Sequence, residues 1–256
     1  MKKLFGALLF GILSIHQIGA QTITDREGQG LKGAVKSIRV ERAEMVKKED
    51  KLVERRRFLM SIFTYDEQGY RTEELSYNPD GALAGKSVIS RDDKGIRTTI
   101  FYKADGTMRA KWVDSLDKDG RFQGGAHYDA DGALESRSAY TYAADGKLIE
   151  AAMYNADGSL KNKTVFKHNA EGKQIGYEVY NAAGVLMQKD VQDGANKSNT
   201  MYDGNNTMTH NWIAQQPSYE LDAQGNWIKK STLQLVTRGD HTEEIVEVLY
   251  RTISYY

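Results

Sequence analysis

Apolar and aromatic residues recur at every second position in short runs along this chain, and each run stops at a glycine. The stretch YDADGALESRSAYTYAADGKLIEAAMYNADG, Tyr128 to Gly158, shows the pattern three times. After Gly132, the positions Leu134, Ser136, Ser138, Tyr140 and Tyr142 fall on one face of an extended strand, and Arg137 falls on the other. After Gly158, Leu160, Asn162, Thr164 and Phe166 repeat that arrangement. A period of two predicts strands. Beyond residue 20 no stretch combines a 3.6-residue apolar stripe with helix caps, so no long helix is predicted.

Turn glycines fall at Gly69, Gly81, Gly95, Gly106, Gly120, Gly132, Gly146, Gly158, Gly172 and Gly184, separated by 12, 14, 11, 14, 12, 14, 12, 14 and 12 residues. Successive pairs of gaps sum to 25 or 26, so the repeating unit is a strand pair with one short and one long arm. The turns read NPDG, KADG, DADG, NADG and DEQG. Asp or Asn begins many of them, and glycine supplies the positive φ of a hairpin with an adjoining bulge. Ten turns join eleven strands in an antiparallel meander.

The ends add to this array. Leu31 to Tyr65 reads as a hairpin, and Asn226 to Val236 with Glu244 to Tyr256 reads as a closing pair. Between Asp193 and Pro217 the period fails, in a decayed repeat or a long loop. The predicted organisation is a leader (1–20), an N-terminal capping hairpin (21–60), hairpin repeats (61–192), an irregular segment (193–217) and a C-terminal capping hairpin (218–256). The predicted fold is all-β, a twisted or curled extended meander between capping hairpins, because twist limits open sheets to roughly ten strands. The period itself is compatible with an open, folded-over or closed sheet.

The leader is read from MKKLFGALLFGILSIHQIGA, with charged Lys2 and Lys3 before an apolar Leu4–Ile15 stretch too short for a bilayer span of about 20 residues. It predicts export to the periplasm, cell surface or exterior, with no membrane span after cleavage. The chain has no cysteine, so disulfides and thiolate metal sites are excluded. Its formal charge is zero, or −2 without Lys2 and Lys3 (33 basic against 35 acidic), which lacks the basic excess of a nucleic-acid binder.

The units TYDEQGYRTEELSYNPDG (64–81) and AYTYAADGKLIEAAMYNADG (139–158) resemble the YD repeats of the rearrangement-hotspot family. The resemblance runs from Tyr65 to about Gln192, with an echo at LDAQGNWIKK (221–230), and departs at Arg91, Leu116 and His168, where tyrosine is expected. It implies an exported β-repeat protein of a diverged branch. Large family members form shells around a toxin; with about five units and no toxin segment here, that role does not carry over. A weaker likeness to short-repeat antitoxin proteins implies the alternative of an envelope immunity protein that sequesters one partner. Choline-binding wall repeats are a third likeness, but their Gly-Trp and Trp-Tyr-Tyr signatures are missing.

Two columns stand out as candidate ligand-binding residues. Four residues before alternate turn glycines sit Tyr77, Tyr102, Tyr128, Tyr154 and Tyr180. Equivalent rings lie about 9.6 Å apart, twice the ~4.8 Å strand spacing, which is too far for direct stacking. The plainer reading is rings packed over their own turns; the sharper one is an exposed ladder for an extended glycan. Five residues after the same glycines sit Lys86, Lys111, Arg137, Lys163 and Lys189. They are expected opposite a Leu83, Met108, Leu134, Leu160 and Leu186 core column, as a solvated face that discourages edge pairing or meets an anionic polymer. Glu73, Glu74, Glu150 and Glu178 can neutralise its ends and leave its middle positive.

Catalysis finds no anchor. The DKDG (117–120) and DADG (129–132) turns fail the calcium-loop pattern, since the fifth and twelfth positions from Asp129 are Ala133 and Tyr140. His127, His168, His210 and His241 show no ligand spacing, and no Gly-x-Ser-x-Gly elbow is present. No cofactor or metal is expected. An outer-membrane barrel is expected to fail too, because one face carries the cations, the other carries Ser, Asn, Glu and Gly, and all loops are short. The expectation is a non-catalytic binding or scaffold surface at the cell envelope for a protein or cell-surface glycan. An enzyme with an unrecognised site comes last.

Overall fold

The structure is a computed structural model that describes residues 24–49, 51–194, 196–203, 205 and 207–256; the predicted leader lies outside them. One helical turn, α1 (Asp25–Gly28), is fixed by a capping box: the Thr24 side chain accepts from the Glu27 N–H, and the Glu27 carboxylate accepts from Thr24. All else is strand. β1 (Val35–Lys48) and β2 (Lys51–Tyr65) form the first hairpin. Short and long strands then alternate as expected: β3 (Arg71–Tyr77), β4 (Leu83–Arg91), β5 (Ile96–Lys103), β6 (Met108–Leu116), β7 (Phe122–Tyr128), β8 (Leu134–Tyr142), β9 (Leu148–Asn155) and β10 (Leu160–His168). β11 (Gln174–Asn181) and β12 (Leu186–Asp193) follow, equal at eight residues. β13 (Asn196–Tyr202) and β14 (Met208–Ala214) occupy the segment where the period fails. β15 (Ser218–Leu221), β16 (Trp227–Arg238) and β17 (His241–Tyr255) complete the chain.

Turn chemistry sets the meander. All ten turn glycines have positive φ, from 75° at Gly120 to 96° at Gly69. In the turn after β7, Gly132 N–H donates to the Asp129 carbonyl, Asp129 N–H donates to that of Ala133, and Asp129 Oδ1 accepts from the N–H groups of Asp131 and Ala133. The side chain thus substitutes for ladder partners lost at the tip.

One residue beyond each turn at the end of the barrel far from the termini, the ladder slips. Ala84, Arg109, Glu135, Lys161 and Met187 are extra residues that face no partner. Each slip reverses the alternation locally. Leu83, Met108, Leu134, Leu160 and Leu186 therefore stand across from Tyr77, Tyr102, Tyr128, Tyr154 and Tyr180. The Leu/Met column is not a core opposite the cations. It belongs to the same face as the tyrosines.

The expected open or curled sheet is also corrected. β1 pairs with β2 on one edge and β17 on the other, from Val35↔Tyr255 to Ala43↔Val248, with Ser37 and Ser254 hydroxyls 2.7 Å apart. The terminal hairpins are two sides of a seam, not caps. β14 pairs with one half of β16 and β15 with the other, so seventeen strands fill sixteen positions of a closed antiparallel barrel. Closure gives each terminal edge the partner that an open sheet would leave as bare N–H and C=O groups.

Side chains converge on the concave face of a barrel and spread on the convex one. Along β8, Ser136 is 4% exposed while Arg137, Ala139 and Thr141 are exposed. Register carries the Ser136 face to Thr99, Asp114, His127 and Asp190, all buried, so this is the inner face. Only ten apolar side chains are buried among the described residues, far too few for a filled interior. One compact cluster exists: Leu31, Val35, Ile38 and Tyr65, joined by Phe63 and Ile253, where the segment after α1 lies against the inner face near the termini. Asp25 pins that segment by accepting from Arg71 N–H and Arg91 Nη2, both at 2.8 Å.

Candidate functional site

The two columns read from the sequence both lie on the outer face and are paired with each other. Across neighbouring strands Lys86 faces Tyr102, Lys111 faces Tyr128, Arg137 faces Tyr154 and Lys163 faces Tyr180. Lys189 faces Thr200 instead. Every ring of the column is half-buried, bracketed by a Leu or Met of the following strand and, from Tyr102 to Tyr180, by a cation of the preceding one. Lys86 reaches Glu73 at 2.5 Å, Lys163 reaches Glu150 at 3.5 Å, and Lys189 reaches Glu178 at 3.8 Å. Lys111, 5.8 Å above the Tyr128 ring, and Arg137 face Ile100 and Ala126 and have no acidic partner among the described residues. Tyr202, across from Met208, extends the column by one.

The inner face carries a second set of residues. Phe101, Trp112 and His127 come from β5, β6 and β7 and form a contiguous row. Phe101 meets Trp112 edge-on at 4.7 Å between centroids, and Trp112 stacks on His127 at 4.7 Å with planes 27° apart. Trp112 keeps 37% of its surface open to the lumen. His127 is buried, lies 3.1 Å from Ser136 Oγ through Nδ1, and is held below the usual histidine range by that burial. Small neighbours make room for the row: Ala110 and Gly125 occupy inner positions beside it.

Next to the row, Arg97 donates to Asp114 at 2.8 Å, with side chains only 13% and 4% exposed, and lies 4.4 Å over the Phe122 ring. Phe122 in turn packs 5.6 Å from Tyr140, whose hydroxyl burial pushes above its ordinary range. Gly125 is required there, since a Cβ would sit 2.3 Å from Asp114 Oδ1. Farther round the wall, Gln188 donates to the Tyr177 hydroxyl at 3.1 Å, and Trp212 Nε1 donates to Gln234 at 2.9 Å. Desolvation pushes the Tyr177 hydroxyl up to about 12.

Repetition hid these inner residues. The position before each column tyrosine holds Ser76, Phe101, His127, Met153 and Val179; the position after each cation holds Ser87, Trp112, Ser138, Thr164 and Asp190. Both series face inward and neither keeps one residue type through the repeats, so they form no visible column. Their variability inside an otherwise regular unit is the signal that finds them. Among the described residues no three acids or histidines gather as a metal site, and no helix is long and apolar enough to cross a membrane.

No protein-family model matches this chain, and no curated protein matches it either. Among solved structures it is similar to a porin-like protein from Bacteroides uniformis, at TM-score 0.53 and 10% identity, over 92% of this chain and 100% of that one. That likeness shows the fold: a porin-like closed barrel. It is also aligned with 14% of a chain in the Tc holotoxin pore of Photorhabdus luminescens, at 12% identity over 76% of this chain, but a TM-score of 0.18 carries no weight.

Proposed function

We propose that this protein is an exported, non-catalytic barrel of the cell envelope that holds an extended polar partner, a glycan first of all, against its inner wall. The observation that carries the reading is Trp112, open to the lumen and braced between Phe101 and His127. A ring in that position offers a flat apolar face to a sugar, and inward-facing Asn162, Thr164 and Gln188 offer hydroxyl and amide groups farther round the wall. Sixteen strand positions enclose a lumen wide enough for solvent, as in barrels of this size. The leader-like N-terminus and the porin-like fold both support the envelope as the location.

The outer wall favours an aqueous seat over a bilayer. A lipid-facing wall needs a continuous apolar band, and a Lys or Arg near the midplane costs about 2–4 kcal/mol. Here the convex face carries ion pairs and the unpaired Lys111 and Arg137. Calorimetric titration of the mature protein with envelope polysaccharide fragments tests the reading. Trp112→Ala is expected to weaken binding at least about tenfold, the loss of one good stacking contact, while Tyr128→Ala with Tyr154→Ala leaves it unchanged. The reverse result would move the site to the outer tyrosine column. No binding by any fragment would sink the glycan reading.

A further inference from the structure

At the barrel end that holds the termini, a cavity of about 210 Å³ opens on the inner face. Gln29 and Leu31 wall one side, and Tyr219, Leu221, Trp227 and Arg251 wall the other. It lies where two strands share one position of the wall. β14 ends at Ala214, and β15 takes over the same position after Pro217, pairing with β16 alone. Tyr219 and Leu221 on this short strand are 50% and 59% exposed and form the mouth.

Arg251 is the unsatisfied group in this cavity. Its guanidinium stacks 3.6 Å over the Trp227 ring, its Nε is wholly buried, and that nitrogen has no hydrogen-bond partner. The charged-state neighbours it feels are two phenols, Tyr65 and Tyr219, and no carboxylate among the described residues forms an ion pair with it. Desolvation pulls it down to about 10, far below an ordinary arginine. Lys230, from the neighbouring strand on the same inner face, is close enough to be lowered by it as well as by burial. Glu247, the acid nearest to Lys230, is engaged by Arg42 at 3.5 Å. The other polar side chain deep in the cavity is already used: Asn226 bonds the backbone of Lys32 in both directions and accepts no ligand.

Largely desolvated cations are ordinarily paired, and a half-buried one that lines a cavity without an acidic partner leaves a place for an anion. Aromatic surface beside it suits a ring, and the volume suits one small ring rather than a drug-sized molecule, whose pockets run roughly 300–1,000 Å³. We infer that this cavity is a carboxylate subsite that takes a uronic-acid unit of the bound glycan, with Arg251 meeting the carboxylate and Tyr219 covering the sugar ring. The inference rests on the glycan reading of the lumen and narrows it to acidic glycans.

The test compares trigalacturonic acid with its methyl ester, which keeps every ring and removes the charge, by titration into the full protein. The acid is expected to bind at least about tenfold more tightly, in line with one charge-assisted contact. Arg251→Gln is expected to reduce acid binding to the level of the ester and to leave the ester unchanged. Because it removes a half-buried charge that has no acidic partner, this variant should melt no lower than the wild type. Equal binding of acid and ester by the wild type, which needs no variant, overturns the subsite. So does full acid affinity in Arg251→Gln, and a lowered melting temperature would assign Arg251 to packing on Trp227 instead. Binding of neutral oligosaccharides without preference for acid leaves the lumen reading standing and this one fallen, whereas no binding of any sugar removes both.

Discussion

Individual side chains on the inner wall carry charges and rings that burial has made sensitive. His127 is lowered by desolvation, so the folded protein binds its proton less readily than the unfolded chain does. Its contribution is therefore present above the ordinary histidine range near pH 6.5 and is lost as pH falls through that range. Thermal melts between about pH 7 and pH 5 should show stability declining on acidification, and His127→Gln should flatten that decline. The Arg97–Asp114 pair is nearly closed off, and removing one partner strands the other beside Phe122. Asp114→Ala is expected to cost about 3–5 kcal/mol in urea unfolding. Gly125→Ala, which drives a methyl into Asp114, should cost about 1–3 kcal/mol. None of this was legible in the repeat, because His127, Asp114 and Gly125 sit at positions where the units differ. The sequence displays what recurs, and the wall chemistry lies in what does not.

Hairpins were legible because they are local. An Asp or Asn three residues before a glycine closes its own turn, and all ten predicted turn glycines adopt the positive φ that such a turn needs. The alternation read from Leu134 to Tyr142 fails only at its first residue, where the bulge at Glu135 transfers Leu134 to the face of Tyr128. A period of two has no way to announce that slip, so the Leu/Met column looked like a core. The seam was out of reach for a different reason: Val35 meets Tyr255 across almost the whole chain, and nothing local distinguishes a cap from a clasp. At the seam Val40 has a ladder neighbour on each side, Ser61 and Arg251. Proline tolerates only edges, so Val40→Pro should unclasp β1 from one of them and enlarge the particle in small-angle scattering. An unchanged radius would mean that the remaining register holds the ring without it.

On the proposed reading the closed barrel stands in water and not in a bilayer. Its ring is complete, its convex face carries ion pairs beside apolar side chains such as Val88, Ile100 and Val113, and its concave face is polar with a row of aromatic rings. Purified without detergent, residues 21–256 are expected to stay in solution, to remain at the bottom when liposomes float, and to give no steps of conductance in a planar bilayer. Flotation with the vesicles, or conductance, would show that the Tyr and Leu belt near the far rim is enough to seat it in lipid.

The wall is assembled from interchangeable strand pairs, and the clasp lies entirely in the terminal hairpins. Circumference is therefore a counted quantity. Each pair contributes roughly 10 Å of perimeter at the ~4.8 Å strand spacing. Removing one unit, for example residues 107–132, would rejoin equivalent positions of two turns and set Tyr102 across from Leu134 in place of Met108. Such a chain has fourteen positions and the same clasp. Duplicating a unit gives eighteen, so gene-level copying or loss of a single repeat would change the bore of the barrel in discrete steps, with turn and outer-face pairing kept at the join and only inner-face pairs such as Arg97 with Asp114 to be replaced.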